Sequence, residues 1–144
     1  MAASILALLH NDNPWWLTGT VPINYNHCRR FEFQDILEHL DSRRILALTG
    51  PAHIGKTTLM LQTISHLLKL GVPSANILYL NGSHPLLFEN GRKLKDILDL
   101  YASEVLCEPL KESRRKVYVF VDNITLLTEW HSLLNDFYKE KYPV

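Results

Sequence analysis

Three apolar runs of strand length, separated by helical patterns, predict an α/β domain in three layers, with a short parallel sheet flanked by helices. The runs are Ile-Leu-Ala-Leu-Thr at 45–49, Ile-Leu-Tyr-Leu at 77–80 and Val-Tyr-Val-Phe-Val at 117–121. Continuous apolar runs, rather than alternating ones, suit strands of a parallel sheet that is buried on both faces. A glycine loop follows the first run and opens a helical pattern, and the strand–helix–strand order implies right-handed crossovers.

Each element has a local reason. Ser-Ile-Leu-Ala-Leu-Leu at 4–9 is too short to span a bilayer and lacks the positive charges of a secretory leader, so it reads as a docking segment or helix. From Asn11 to Pro22 turn formers surround the adjacent Trp15 and Trp16, an irregular lead-in whose aromatic bulk needs an apolar surface. Residues 1–28 are read as an N-terminal arm and residues 29–144 as the domain. Phe33, Ile36, Leu37 and Leu40 mark one face of a short helix that ends before the first run. Met60, Ile64, Leu67 and Leu68 recur at helical spacing until Gly71 supplies a C-terminal cap. A turn at 72–76 leads into the second run, which breaks at Asn81-Gly82. Leu94, Ile97, Leu98, Tyr101 and Val105 define another amphipathic helix with Pro109 beyond its end, and Trp130, Leu133, Leu134, Phe137 and Tyr138 define the last.

Fifteen basic residues balance fifteen acidic ones among 144, so the net charge indicates neither nucleic acid nor an anionic membrane as a partner. The doublets Arg29-Arg30, Arg43-Arg44 and Arg114-Arg115 read as solvated starts of strands and helices rather than a contact stripe. Cys28 and Cys107 are far apart and outside any C-x-x-C pair, which indicates neither a disulfide framework nor a zinc site and suits a reducing, cytoplasmic compartment. The seven histidines include no pair at the i, i+4 spacing of a helical metal face.

The chemistry is concentrated in one stretch. Gly50-Pro51-Ala52-His53-Ile54-Gly55-Lys56-Thr57-Thr58 fills the phosphate-loop pattern G-x-x-x-x-G-K-[ST], between a strand run and a helix as the mechanism requires. The glycines let successive N–H groups point at phosphate oxygens, Lys56 supplies a charge for the β and γ phosphates, and Thr57 offers a hydroxyl to magnesium. Thr58 continues into a helix whose positive end faces the anion. The bland alternative is a glycine-containing turn that binds nothing. His53 either faces solvent or, titrating near neutral pH, responds to bound phosphate. The third run ends in Asp122, where a carboxylate would hold Mg²⁺, usually through water; the alternative is an aspartate that starts a turn or caps a helix.

Taken together, the run from Arg43 to Pro51, the loop, residues 76–80, and Val117 to Thr125 followed by Trp130 resemble the AAA-type ATPase domain of archaeal and bacterial proteins that carry an uncharacterised C-terminal domain. Asn13-Pro14-Trp15-Trp16 fits the lead-in common there. The resemblance spans almost the whole chain and implies a phosphate-loop NTPase fold and ATP as the nucleotide. It also exposes departures. Where the family reads Asp-Glu after the third strand, this chain has Asp122-Asn123, and an amide cannot accept a proton from the attacking water. Acidic residues expected after the second strand are replaced by Gly82-Ser83-His84-Pro85, and the family's basic loop residues by Ala52-His53. The sensor strand, lid and arginine finger have no counterpart, so the chain reads as truncated relative to a full AAA core. That strand normally separates the first and third runs. Its absence implies either direct pairing of those two or a gap filled by another chain.

The leading expectation is therefore an ATP- and Mg²⁺-binding AAA-like domain with weak or absent hydrolysis as an isolated chain. In it Gly50 to Thr58 cradle the phosphates, Thr57 and Asp122 hold the metal, and Asn123 occupies the water-positioning place. The alternative is a nucleotide-free interaction module with a vestigial loop, self-associating or binding a protein through exposed sheet edges or its tryptophan arm. A small-molecule kinase ranks last, because no Asp-Arg acceptor motif or arginine-rich lid is present. No guanine-reading N-K-x-D occurs, and the preference for ATP rests on the resemblance.

Overall fold

The computed structural model describes residues 2–22, 31–42 and 44–144. Cys28, Arg29, Arg30, Arg43 and the expected boundary between arm and domain lie outside the described residues.

In chain order the elements are α1 (Ala2–Asp12), α2 (Trp15–Thr18), α3 (Phe31–His39), α4 (Lys56–Lys69), β1 (Ile77–Asn81), α5 (Pro85–Phe88), α6 (Leu94–Tyr101), β2 (Tyr118–Asp122) and α7 (Trp130–Lys139). The apolar segment 4–9 lies within α1, and the tryptophan lead-in, expected to be irregular, contains the short helix α2. At the end of α4 the N–H of Gly71 (φ 86°) bonds the Leu68 carbonyl and that of Val72 the Leu67 carbonyl, the left-handed glycine stop anticipated from the sequence. α6 runs on as a π-helical turn, Ala102–Leu106, and ends at Cys107 (φ 56°).

β1 and β2 pair in parallel, from Ile77 opposite Tyr118 to Asn81 opposite Asp122. Strand side chains alternate between faces, and the core divides accordingly. Leu78, Leu80, Val119 and Val121 pack with Ile5, Leu8 and Leu9 of α1, Leu94, Ile97 and Leu98 of α6 and Leu133 of α7. Ile77, Tyr79, Tyr118 and Phe120 pack with Trp15 and with Ile64 and Leu67 of α4. The sheet is thus the middle of three layers.

The first apolar run departs from expectation. Residues 44–50 form no strand, and the side chains of Ile45 and Leu46 are 52% and 40% exposed rather than buried. Its surroundings supply the reason. Before it, the Tyr118 hydroxyl donates to Asp41 (3.4 Å) and Lys116 to the Leu40 carbonyl; after it, Thr57 contacts Asp122. The chain before and after the segment is thus tied to the two ends of β2, yet no ladder joins residues 44–50 to the strand. A strand needs a neighbour at hydrogen-bonding distance, and apolar composition alone does not supply one. The direct pairing of first and third runs that a kinase-like arrangement would use is not formed.

The two outer edges of the sheet differ. On β1, the buried Asn13 accepts from the Tyr79 N–H (2.6 Å) and donates to the Tyr79 carbonyl (2.9 Å). The Trp15 and Trp16 indoles both donate to the Ile77 carbonyl, at 3.0 and 2.9 Å. On β2, the Asp122 backbone carbonyl accepts from the Gly82 N–H (2.9 Å), which with the register turns the backbone groups of Tyr118, Phe120 and Asp122 toward β1 and those of Val117, Val119 and Val121 outward. Val117 N–H donates to the Pro143 carbonyl (2.8 Å). Among the described residues no partner meets the outward backbone groups of Val119 or Val121.

Candidate functional site: a phosphate loop beside a buried carboxylate

Gly50 (φ 153°) and Gly55 (φ 100°) bracket the loop, and His53 (φ 63°) holds a left-handed conformation within it. Gly50 is favoured by its conformation; a Cβ there would meet only the movable end of the exposed Ile54 side chain. Pro51, Ala52, His53 and Ile54 are exposed. Lys56 starts α4 and folds back, its Nζ donating to the Gly50 and Pro51 carbonyls, each at 2.7 Å. Gly55 caps the helix without a side-chain bond, so the first N–H groups of α4, those of Lys56, Thr57 and Thr58, face the loop with no capping oxygen. A lysine able to exchange carbonyls for phosphate oxygens and an uncapped helix start are what an anion site requires.

Asp122, at the end of β2, is 7% exposed and fully engaged. Its Oδ2 accepts from the Thr57 hydroxyl, across 65 positions of sequence, and from the Tyr79 hydroxyl at 3.2 Å. Its Oδ1 accepts from the Asn123 N–H at 3.0 Å. A hydroxyl and a carboxylate oxygen meeting at the foot of a phosphate loop are hard donors of the kind Mg²⁺ takes, with nucleotide phosphates and water completing its shell. The donor set therefore fits the ion.

Asn123 is exposed and left-handed (φ 52°), a region that asparagine adopts more readily than glutamate. Its amide donates to Asn81 Oδ1 (3.3 Å), which also takes the N–H (3.1 Å) and hydroxyl (2.7 Å) of Ser83. Thus the Gly82–Pro85 departure and the Asn123 departure are neighbours. Gly82 makes this approach possible: a Cβ there would sit 2.7 Å from the Asn123 carbonyl oxygen and 3.2 Å from that of Asp122.

Sequence reasoning placed the loop, Thr57 and Asp122 in one site but missed two contributors. Tyr79 was a strand residue only, although a lone hydroxyl in an aliphatic run is a signal that something polar lies opposite. By residue type alone Asn13 is a turn former. A cavity of about 590 Å³ between the π-turn and α7, lined in part by Lys95, Ser103, Cys107, Phe137 and Tyr142, shares no residue with the loop. At the opposite end of β2 from Asp122, burial lowers the Lys116 pKa and raises that of the Tyr118 phenol, the latter also through Asp41. Burial raises the Tyr101 phenol as well. Among the described residues, no group of three or more His, Cys, Asp or Glu gathers to hold a metal without nucleotide, and no helix is long and apolar enough to cross a membrane.

A parallel sheet between helix layers, with a glycine loop opening α4 beside a strand-terminal aspartate, defines a phosphate-loop NTPase-like domain. Residues 42–144 match the family model of the AAA domain, and the chain belongs to that family. An uncharacterized protein of Haemophilus influenzae is 29% identical over 104 residues, which cover 71% of this chain and 24% of that protein. The chain thus matches about a quarter of its relative's length. No solved structure matches.

Proposed function

We propose that this chain binds ATP with Mg²⁺ through Gly50, Pro51, Ala52, His53, Ile54, Gly55, Lys56, Thr57 and Thr58, with Thr57 and Asp122 as protein ligands of the metal. The observation that carries this reading is the contact of Thr57 with Asp122, which joins two half-sites far apart in sequence. Residues 29–144 carry the site and residues 1–28 are its N-terminal arm, of which Asn13, Trp15 and Trp16 clamp the sheet, in a cytoplasmic protein. Lys56 leaves the Gly50 and Pro51 carbonyls for the β and γ phosphates, and the N–H groups opening α4 take the remaining oxygens. Thr57 and Asp122 would hold the magnesium, which when bound would offset charge on the phosphates.

Hydrolysis is weak or absent in the isolated chain. Asn123 offers no base, and loss of a general base typically lowers rates by about 10²–10⁴. Titration of a fluorescent ATP analogue with Mg²⁺ tests the binding: wild type saturates and Lys56→Ala does not, whereas binding unchanged by Lys56→Ala would discard the site. Asn123→Glu raises ATPase activity if the amide alone blocks turnover. Its left-handed backbone opposes the substitution, so the variant's folding is measured alongside.

A second reading rests on the outward backbone of Val119 and Val121, a template for an added strand. Under it the chain is an interaction module and the loop is vestigial. Size measurement by light scattering separates the two: nucleotide-dependent assembly favours ATP binding, and dimers indifferent to nucleotide favour the module.

A further inference from the structure

Tyr79 is the middle residue of β1 and its side chain is 8% exposed. Its backbone is gripped on both polar groups by one side chain, that of Asn13, and its hydroxyl reaches Asp122 Oδ2, the oxygen that also receives the Thr57 hydroxyl. The ring packs with Trp15, Ile64 and Leu67, which fixes its plane. A continuous path therefore runs from the N-terminal segment, through an amide and a phenol, to the carboxylate beneath the loop.

We infer that Tyr79 is a positioning residue for the Asp122 carboxylate, and that Asn13 sets the depth at which the Tyr79 hydroxyl meets it. This rests on the reading of Asp122 as the magnesium carboxylate. A carboxylate can rotate about its Cβ–Cγ bond. Here the Asn123 N–H holds Oδ1 and the Tyr79 hydroxyl holds Oδ2 from the β1 side, leaving the remaining lone-pair direction of Oδ2 facing Thr57. Fixing ligand orientation from outside the coordination shell is worth about 10–100-fold in metal affinity at established sites. Tyr79 does this without touching nucleotide or metal.

The test is Tyr79→Phe, which keeps the buried ring and removes only the hydroxyl. Affinity for a fluorescent ATP analogue is measured in EDTA and across a Mg²⁺ titration. The expected result is a half-saturating Mg²⁺ concentration raised about tenfold, with the affinity in EDTA within about twofold of wild type. Asn13→Asp, which retains the acceptor for the Tyr79 N–H and loses the donor, shifts Mg²⁺ dependence in the same direction. Wild-type Mg²⁺ dependence in Tyr79→Phe overturns the inference, as does an equal loss with and without metal, which marks a structural role. A wild-type protein that binds nucleotide equally well with and without Mg²⁺ overturns the metal reading itself, a result distinct from either.

Discussion

The outer edge of β1 and the outer edge of β2 pose the same physical problem and meet it differently. Each presents strand N–H and C=O groups to something other than a strand. On β1 the solution is made of side chains: Asn13 pairs with Tyr79 as a neighbouring residue would, and two indoles converge on the Ile77 carbonyl. On β2, among the described residues, the Pro143 carbonyl answers Val117 alone, and the apolar segment 44–50 forms no ladder. Closing an edge takes donors and acceptors at set positions, and a hydrophobic neighbour is no substitute.

The largest way to break this contrast is to open the sealed edge. Asn13→Ala leaves the buried N–H and carbonyl of Tyr79 unpaired, at about 1–3 kcal/mol for each orphaned group, so a loss of about 2–6 kcal/mol is expected. Urea unfolding measures it, and an unchanged midpoint would show that water replaces the amide and that the edge was never closed. Next in size is Trp15→Phe, which loses the indole donor and some packing, about 1–2 kcal/mol. Trp16→Phe costs less, since Trp16 is only partly buried and Trp15 still serves the same carbonyl. Equal costs would mean that the shared acceptor is not what seals Ile77.

The open edge is probed without mutation. The register gives the N–H groups of Phe120 and Asp122 partners in β1, whereas those of Val119 and Val121 face outward. Hydrogen exchange should therefore alternate along β2, with the two valines exchanging about 100-fold faster than Phe120. Uniform protection would place a partner on that edge in solution, and loss of protection at Val119 and Val121 on diluting the protein would identify the partner as a second copy.

How much of this was legible in the sequence follows from the range of the forces involved. The loop, the helix after it and the two paired strands rest on local pattern and steric demand, and residues 50–58, 77–81 and 118–122 lie within one or two positions of where periodicity and glycine placement put them. The Asn13–Tyr79 pairing spans 66 positions and depends on how α1 packs on β1, which periodicity does not encode. The segment 45–49 misled for a related reason. Apolar composition reports a preference for burial, while strand formation depends on a neighbour found elsewhere in the chain or in another molecule. Tyr138 misled on a smaller scale: placed on the apolar face of α7 by its spacing, it is 70% exposed.

The smallest expected effect lies at the base of the sealed edge. Asp12 ends α1, one residue before Asn13, and its pKa is raised by burial, against the opposing pull of His84 and a hydrogen bond from Asn11. The folded protein therefore holds the Asp12 proton more tightly than the unfolded chain does. The sign follows: the contribution to stability is fully present below the unfolded pKa, about 3.9, and is lost as pH rises through the folded value. At neutral pH the ionised carboxylate also faces the negative end of the helix dipole. Asp12→Asn should then stabilise the protein at pH 7 by a few tenths to about 1 kcal/mol, a range that allows for solvent screening of a half-exposed group. Urea unfolding at pH 7 and at pH 3.5 gives the check, with the gain shrinking toward zero at the lower pH. A gain of equal size at both pH values would place the effect in packing. A loss at pH 7 would mean that the Asp12 carboxylate helps to orient the Asn13 turn, and that the amide sealing β1 depends on the charge beside it.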